Sequence, residues 1–163
     1  ISMGWKLTSV DGYRKHPQIQ CWTGIKDIEK DFEIGDIKCP YTLNSFCQLY
    51  EALEIKDDTE MIEALKSLQD GYKYFYQLVS GAILEGVQRA TLAIFCPYKD
   101  ELKEVRAKAA EQGVEWLSYT SYQQLPYLIE GEGYENIFER SFEIPKEEVE
   151  FLIKQVEKAE KLL

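Results

Sequence analysis

Residues 24–27 read Gly24-Ile25-Lys26-Asp27, and residues 35–40 read Gly35-Asp36-Ile37-Lys38-Cys39-Pro40. Both stretches are typical of short extended strands, and the charged residues between them indicate a tight turn. Side chains alternate between the two faces of a strand, so Asp36 and Lys38 share a face. We expect the hairpin to bring Asp27 alongside them, which would place two carboxylates and an ammonium group together.

Two carboxylates and an ammonium group at a strand end can hold Mg²⁺ and direct a water molecule at a phosphodiester. The same pattern has a simpler interpretation, in which an exposed hairpin carries paired charges. An acidic residue followed two positions later by lysine occurs three times in the chain, starting at Asp36, Glu54 and Glu101. Only the copy at Asp36 lies in a strand-like run with another carboxylate just upstream.

The composition indicates one globular domain. The chain has 163 residues, of which 45% are hydrophobic, so it can bury a real core as a single domain over residues 1–163. The net charge of −10 argues against a protein whose whole surface grips nucleic acid. A local basic cleft stays open, because five lysines and arginines fall within the first thirty residues: Lys6, Arg14, Lys15, Lys26 and Lys30.

The cysteines and the single histidine, His16, argue against a zinc site. Cys21, Cys39, Cys47 and Cys96 form no Cys-x-x-Cys pair, so reduced thiols in a cytoplasmic protein are expected. One histidine also leaves a Ser-His-Asp arrangement without a well-placed base. No apolar run reaches the length of a membrane span. The first residues show no signal-peptide pattern and are typical of a truncated start.

The order of periodic segments predicts a mixed α/β fold, of the α+β kind, with a small central mixed β-sheet flanked by helices. A second strand-like region follows the hairpin, since 88–97 predicts a central strand and 114–120 another. Residues 131–144 predict a loop with one strand-like piece. Helices are predicted over 43–54 with Thr42 as N-cap, 60–69 ending at Asp70-Gly71, 72–86, 100–112 and 145–163.

The helix predicted over 72–86 is the most apolar, and we expect it to be buried on more than one side. Lys73, Gln77 and Ser80 align on its polar flank, and Gly81 beside them would allow close approach of another backbone. Its tyrosines at 72, 74 and 76 have two interpretations. Either they are core and rim residues or they form a platform on which bases stack, and the first is favoured.

Three local motifs, spread over residues 16–97, resemble one known family. They are Gly24-x-x-Asp27 before a hairpin turn, the string Gly35-Asp36-Ile37-Lys38-Cys39-Pro40, and a tyrosine-rich helix that carries Gln77. In the second motif the family commonly has glutamate where this chain has Asp36. Together they resemble the PD-(D/E)XK nuclease superfamily, and most closely the YqaJ-type phage recombination exonucleases, which are similar to lambda exonuclease.

The resemblance implies a restriction-endonuclease-like core and a Mg²⁺- or Mn²⁺-dependent DNA exonuclease that acts in phage-type recombination or repair. Asp27, Asp36 and the backbone carbonyl of Ile37 would hold the metal ion. Lys38 would activate the attacking water, and Gln77 would support the site or a phosphate. DNA, a single-strand annealing protein and further copies of the chain are the implied partners. The alternative is a catalytically inactive nuclease-like domain that serves in binding or assembly.

Overall fold

A computed structural model of the chain describes the backbone of residues 23–28 and 31–161, and the side chains of residues 33–161 other than Ser118. The sequence also indicates a short strand at 4–10 and a first hairpin strand over 19–27, and residues 4–10 and 19–22 lie outside the described residues. The elements, in chain order, are β1 (Thr23–Ile28), β2 (Asp31–Lys38), α1 (Leu43–Leu53), α2 (Asp58–Ser67), α3 (Gln69–Glu85), β3 (Arg89–Phe95), α4 (Leu102–Glu111), α5 (Glu115–Tyr119), a 3₁₀ turn (Tyr122–Gln124), β4 (Ile137–Glu143) and α6 (Lys146–Glu160).

The strands form one four-stranded sheet in the order β1-β2-β3-β4. β1 is antiparallel to β2, β2 is parallel to β3, and β3 is antiparallel to β4. Parallel neighbours need a long crossover, which the three helices α1–α3 supply here. The predicted fold class, a mixed sheet with flanking helices, is confirmed.

The core lies between one face of the sheet and the helices of the crossover. Even-numbered residues of β2 and β3, such as Ile34 and Leu92, are buried on that face. Phe75 of α3 stacks near Phe142 of β4, with ring centroids 6.2 Å apart. Tyr50 of α1 packs against the β4 side, and helices α1 and α3 therefore cover the same face.

Local signals set the starts of two helices. The amide of Ser45 donates to the Thr42 side chain at 3.1 Å, so the predicted N-cap of α1 is confirmed. In the same way the amide of Glu60 donates to Asp57 at 2.9 Å and starts α2. These side chains accept from amides that the first helical turn leaves without a partner.

The predicted helix end at Asp70-Gly71 is wrong, because Gly71 lies inside the first turn of α3. A Cβ atom at this position would come within 2.2 Å of the Leu65 carbonyl oxygen. Gly71 is thus needed for the close passage of α3 past the end of α2, and not as a stop signal.

The predicted strand over 114–120 is also wrong, because this segment contains the short helix α5. Its Trp and Tyr residues favour strands, but strand propensity depends on a neighbour to pair with. β4 occupies the edge of β3 instead, in the region where a loop with one strand-like piece was predicted. The amide of Thr120 and its hydroxyl both donate to the Trp116 carbonyl and close α5.

The last helix, α6, packs on the body through its first half. Glu148 is buried, and Val149 and Leu152 pack against the core. The sequence predicts an apolar stripe along this helix that includes Val149, Leu152 and Val156, but Val156 is 61% exposed, so the second half leaves the core. Within residues 23–28 and 31–161, no helix combines the length and the apolar character needed to span a bilayer.

Candidate active site

Asp36 and Lys38 form a buried ion pair on the central strand β2. Their side chains share the face that α3 covers, and Lys38 Nζ lies 2.8 Å from Asp36 Oδ2. Asp36 is only 2% exposed and Lys38 only 8%. This burial excludes the simpler interpretation of an exposed hairpin with paired charges. Taking two charges out of water costs several kcal/mol each, so a buried pair needs partners of good geometry.

The other carboxylate oxygen of Asp36 has no such partner among the described residues. Oδ1 is buried and makes no hydrogen bond within the part of the chain whose side chains are described. Burial raises the pKa of Asp36, and the hydrogen bond and charge of Lys38 and the Ile37 amide only partly oppose this effect. A buried carboxylate with one oxygen uncompensated can be stabilised by protonation or by a cation.

Tyr74 of α3 closes the site over Lys38. The ammonium nitrogen lies 5.0 Å from the centre of the Tyr74 ring, within the range of a cation–π contact. α3 can approach β2 because Gly81 has no side chain: a Cβ atom there would lie 2.9 Å from Ile34 Cδ1. The segment that comes close at Gly81 is the Ile34 side chain, and not another backbone as predicted.

Gln77 lies on α3 between these two contacts. Tyr74, Gln77 and Gly81 are spaced at three and four residues, so they lie along one side of the helix. Gly81 lies over Ile34 and Tyr74 over Lys38, which brings Gln77 to the level of Asp36. Its side chain is largely exposed. α3 therefore carries Gln77 to the level of Asp36, and the role of Gln77 at the site stays a prediction.

In the register of the hairpin the backbone of Asp27 does not lie beside that of Asp36, although the sequence predicts that it does. Asp27 lies opposite Phe32, and Thr23 lies opposite Asp36. The backbone of Asp27 is therefore displaced from that of Asp36 by about 13 Å along the strand, at ~3.3 Å per residue. The Asp27 side chain is not among those described, so the convergence of the two carboxylates stays a prediction.

A small polar group borders the site at the carboxyl end of β2. Ser45 of α1 donates to Asp70 Oδ2 at 2.8 Å, and Lys73 Nζ lies 3.9 Å from Asp70 Oδ1. Asp70 precedes Tyr74 by one turn of α3, and Tyr74 lies over Lys38. Asp70 therefore lies past Lys38 in the direction of the carboxyl end of β2. The sequence alone indicates no role for Ser45 and predicts Asp70 only as part of a helix end. The N-cap at Thr42 was the available signal, because it sets the start of α1 immediately after β2.

The described residues include oxygen atoms of the kind that bind a metal ion, but they supply fewer of them than a complete ligand set needs. Asp36 Oδ1 and the Ile37 carbonyl are hard oxygen donors of the type that Mg²⁺ and Mn²⁺ prefer. Among the residues that the structure describes, no group of three His, Cys, Asp or Glu side chains is arranged to hold a metal ion. A complete ligand set would therefore need a further carboxylate or water molecules.

A different polar group occupies the opposite face of the sheet. Thr91 of β3 donates to Glu33 Oε1 at 2.8 Å and lies 2.5 Å from the Ser141 hydroxyl. Arg89 Nε is 3.8 Å from Glu33 Oε2. Because Glu33 is an odd-numbered residue of β2, it faces away from Asp36 and belongs to a separate cluster.

Comparisons with known proteins give no match: no family model, curated protein or solved structure corresponds to the chain. Of the predicted site residues, Asp36 and Lys38 are in contact, and Gln77 lies on the helix α3 that covers their face of the sheet. The chemistry of these residues is the basis on which a function can be assigned.

Proposed function

We propose that the chain is a metal-dependent deoxyribonuclease whose reaction centre contains Asp36 and Lys38. One observation carries the proposal: a carboxylate and a lysine two residues apart on a central strand are buried together, and one carboxylate oxygen has no hydrogen-bond partner among the described side chains. A protein keeps an incompletely paired buried charge at a cost in stability, which makes such groups candidates for function.

Each residue of the centre has a role in this proposal. Asp36 and the Ile37 carbonyl would hold Mg²⁺ or Mn²⁺, and water molecules or a further carboxylate would complete the ligand set. A contribution from Asp27 would need a hairpin register other than the one described. When bound, the metal ion offsets negative charge on the phosphate oxygens and lowers the pKa of water. Lys38 orients the attacking water and favours its deprotonated form through its positive charge. The Tyr74 ring holds the Lys38 ammonium group in place. Gln77, which lies on α3, donates a hydrogen bond to a phosphate oxygen.

The end-directed character of the reaction rests on the resemblance alone. It extends the proposal to an exonuclease that acts on DNA ends in phage-type recombination or repair, in the cytoplasm. A single-strand annealing protein and further copies of the chain are proposed partners on the same ground. The restriction-endonuclease-like core also belongs to this proposal, and the parallel pairing of β2 with β3 after a helical crossover supports it.

Incubation of the purified chain with linear and circular duplex DNA tests the proposal. We expect degradation of the linear DNA in the presence of Mg²⁺ or Mn²⁺, none in EDTA, and none by the Asp36→Ala variant. Circular DNA should persist if the enzyme needs an end. Equal cleavage of both substrates would reject the exonuclease, and cleavage of neither would reject the nuclease.

The second candidate is an inactive nuclease-like domain that serves in binding or assembly. It is favoured by the lack, among the described residues, of three side chains arranged to hold a metal ion, and by the net charge of −10. Metal binding separates the two candidates, because an inactive domain has no need to keep it. Isothermal titration with Mn²⁺ should give a signal in the native chain that Asp36→Ala removes. A native chain that neither binds Mn²⁺ nor cleaves DNA would establish the second candidate.

A further inference from the structure

The carboxyl ends of the parallel strands β2 and β3 border an apolar cleft. Its volume is about 230 Å³, and it lies between the ends of these strands and the helices α4 and α5. In open sheets with parallel strands, ligands bind preferentially outside the carboxyl ends of the strands. The side chains that line it include Tyr41, Phe95, Val105 and Trp116.

Two aromatic rings stand at the mouth of the cleft with much of their surface in water. Tyr41 is 73% exposed and Trp116 is 50% exposed. Their ring centroids are 6.5 Å apart, near the upper limit of aromatic contact, and the rings are tilted by 42°. Large apolar rings exposed together on a surface mark interaction sites more often than single ones do. The faces of these rings are therefore available to a flat ligand.

Two pairs of a cation and an aromatic ring lie next in the chain to Val105 and Pro126, which line the cleft. The guanidinium carbon of Arg106 lies 4.4 Å from the centre of the Tyr122 ring. Lys99 Nζ lies 5.6 Å from the centre of the Tyr127 ring, and Lys99 is exposed. Aromatic rings interleaved with lysine and arginine suit a ligand that has both flat groups and negative charge, which is the chemistry of a single nucleic-acid strand.

The cleft is also close to the proposed reaction centre. Tyr41 follows Lys38 by three residues, so their Cα atoms are at most ~11 Å apart. This distance is about the rise of three nucleotides along one DNA strand. A strand whose phosphate lies at Asp36 and Lys38 can therefore reach the cleft with a base near its end.

We propose that this cleft binds an unpaired base at the end of a nucleic-acid strand, which stacks on Tyr41 and Trp116. The proposal rests on the proposed function, since it names the form of substrate that reaches Asp36 and Lys38. A volume of about 230 Å³ lies below the ~300–1,000 Å³ of sites for drug-sized ligands, so it suits one flat ring system. A paired base inside a duplex cannot present its face in this way.

Binding of short oligonucleotides in EDTA tests the proposal without any cleavage. The probes are a fluorescein-labelled oligothymidylate and an oligonucleotide of equal length made of abasic sites, which keeps the phosphates and lacks the bases. Fluorescence anisotropy at low salt gives both dissociation constants. We expect the intact chain to bind the oligothymidylate about tenfold more tightly than the abasic strand.

Two variants test whether the cleft causes this preference, and a third variant serves as the control. Trp116→Ala and Tyr41→Ala should each bring the two dissociation constants to within about twofold of each other. Tyr119→Ala is the matched control, because Tyr119 lies on the same short helix as Trp116 and is 85% exposed but does not line the cleft. It should keep the tenfold preference. Tyr41→Ala changes an exposed side chain, so the test does not depend on the folding of Trp116→Ala.

Several outcomes would overturn the proposal. The intact chain could bind both strands equally or bind neither, or the two cleft variants could keep the preference. Sedimentation measurements could show that Trp116→Ala dissociates a dimer of a chain that has no base preference, which would make the cleft a contact between copies. A proline-rich peptide that binds the cleft while oligothymidylate does not would also reject a base site there.

The binding and cleavage assays distinguish a failure of the proposed function from a failure of this inference. Base-dependent binding without metal-dependent cleavage would retain the cleft as a docking site and reject the nuclease. Cleavage of linear DNA without base-dependent binding would retain the nuclease and reject the cleft.

Discussion

Two groups of the same composition lie on either side of α3, and each contains an acid, a lysine and a tyrosine. One consists of Asp36 and Lys38 with the Tyr74 ring. The other, which we call the helix cluster, consists of Glu148 of α6, Lys66 of α2 and Tyr76 of α3. Glu148 binds Lys66 through Oε1 at 2.6 Å and the Tyr76 hydroxyl through Oε2 at 2.6 Å.

The two acids differ in how fully they are satisfied. Burial alone would raise the pKa of Glu148, but hydrogen bonds from Lys66 and Tyr76 and the charge of Lys66 lower it overall. Asp36 has one oxygen bonded to Lys38, and burial raises its pKa. The fold thus favours the charged form of Glu148 and disfavours that of Asp36. The helix cluster holds three helices together, whereas Asp36 Oδ1 has no hydrogen-bond partner among the described residues.

The largest expected difference between the two groups is in catalysis. Lys38→Ala should lower the rate of DNA cleavage by ~10²–10⁴-fold, the usual contribution of a group that assists proton transfer. Mn²⁺ binding should persist, because Lys38 acts on the water and does not ligate the ion. Gel assays of linear DNA and titration calorimetry give the two results.

Lys66→Ala is the matched control for this experiment, since it removes the lysine of the helix cluster. It should cleave at a rate within about threefold of the unmodified chain when assayed well below its melting temperature. A Lys38→Ala variant as active as Lys66→Ala would remove the distinction between the groups.

Stability should show the reverse ranking. Glu148→Ala leaves the Lys66 ammonium and the Tyr76 hydroxyl without their shared acceptor, although Lys66 keeps its contact with Glu63 at 2.9 Å. We expect the free energy of unfolding to fall by ~2–4 kcal/mol, measured by urea denaturation. Asp36→Asn preserves shape and an acceptor for Lys38, so it should change the same quantity by less than ~1 kcal/mol. A larger loss in Asp36→Asn would place the pair on β2 among the structural groups.

Metal binding should stabilise only through the pair on β2. At a Mn²⁺ concentration of 100 times the dissociation constant, a site of the folded chain adds ~2.7 kcal/mol to the free energy of unfolding. Thermal melting should show this gain in the unmodified chain and in Glu148→Gln, but not in Asp36→Asn. A gain that survives Asp36→Asn would show that the ion binds elsewhere.

The pH dependence of stability should have opposite signs at the two acids. The pKa of Glu148 is lowered from 4.5, so its contribution is present above that value and is lost as pH falls through the folded-state pKa. The pKa of Asp36 is raised from 3.8, so its contribution is present below that value and is lost as pH rises through the folded-state pKa.

Urea denaturation between pH 3 and 7 measures these slopes. Each factor of ten in proton affinity between the folded and unfolded chain corresponds to ~1.4 kcal/mol. The stability deficit of Glu148→Gln relative to the unmodified chain should shrink as pH falls. Asp36→Asn should gain stability relative to the unmodified chain as pH rises. If the stability contributions of Glu148 and Asp36 changed with pH in the same direction, the contrast between the two acids would be wrong.

Part of this arrangement could be predicted from the sequence. Apolar periodicity and the N-cap at Thr42 located α1, and the apolar run over 88–97 located β3. Strand alternation alone put Asp36 and Lys38 on one face, because their separation of two residues needs no knowledge of tertiary structure. These features follow from local geometry, which the sequence specifies directly.

Other features depend on contacts between distant segments. Among the three tyrosines of α3, Tyr74 lies over Lys38 because the contact of Gly81 with Ile34 sets the rotation of the helix. α5 was mistaken for a strand because nothing near Trp116 indicates that β4 takes the edge of β3. The hairpin register depends on the turn, and it separates the backbones of Asp27 and Asp36.

The parallel pairing of β2 with β3 also determines when the site can form during folding. Asp36 lies beside Leu92, and the whole of α1, α2 and α3 separates the two residues along the chain. Non-local pairing of this kind requires loop closure, which slows folding. On a ribosome, the Lys38 ammonium group would stay hydrated until β3 has emerged and α3 has folded back over β2. The ion pair therefore loses its water late in folding, in the step that pairs β2 with β3 and completes the native topology.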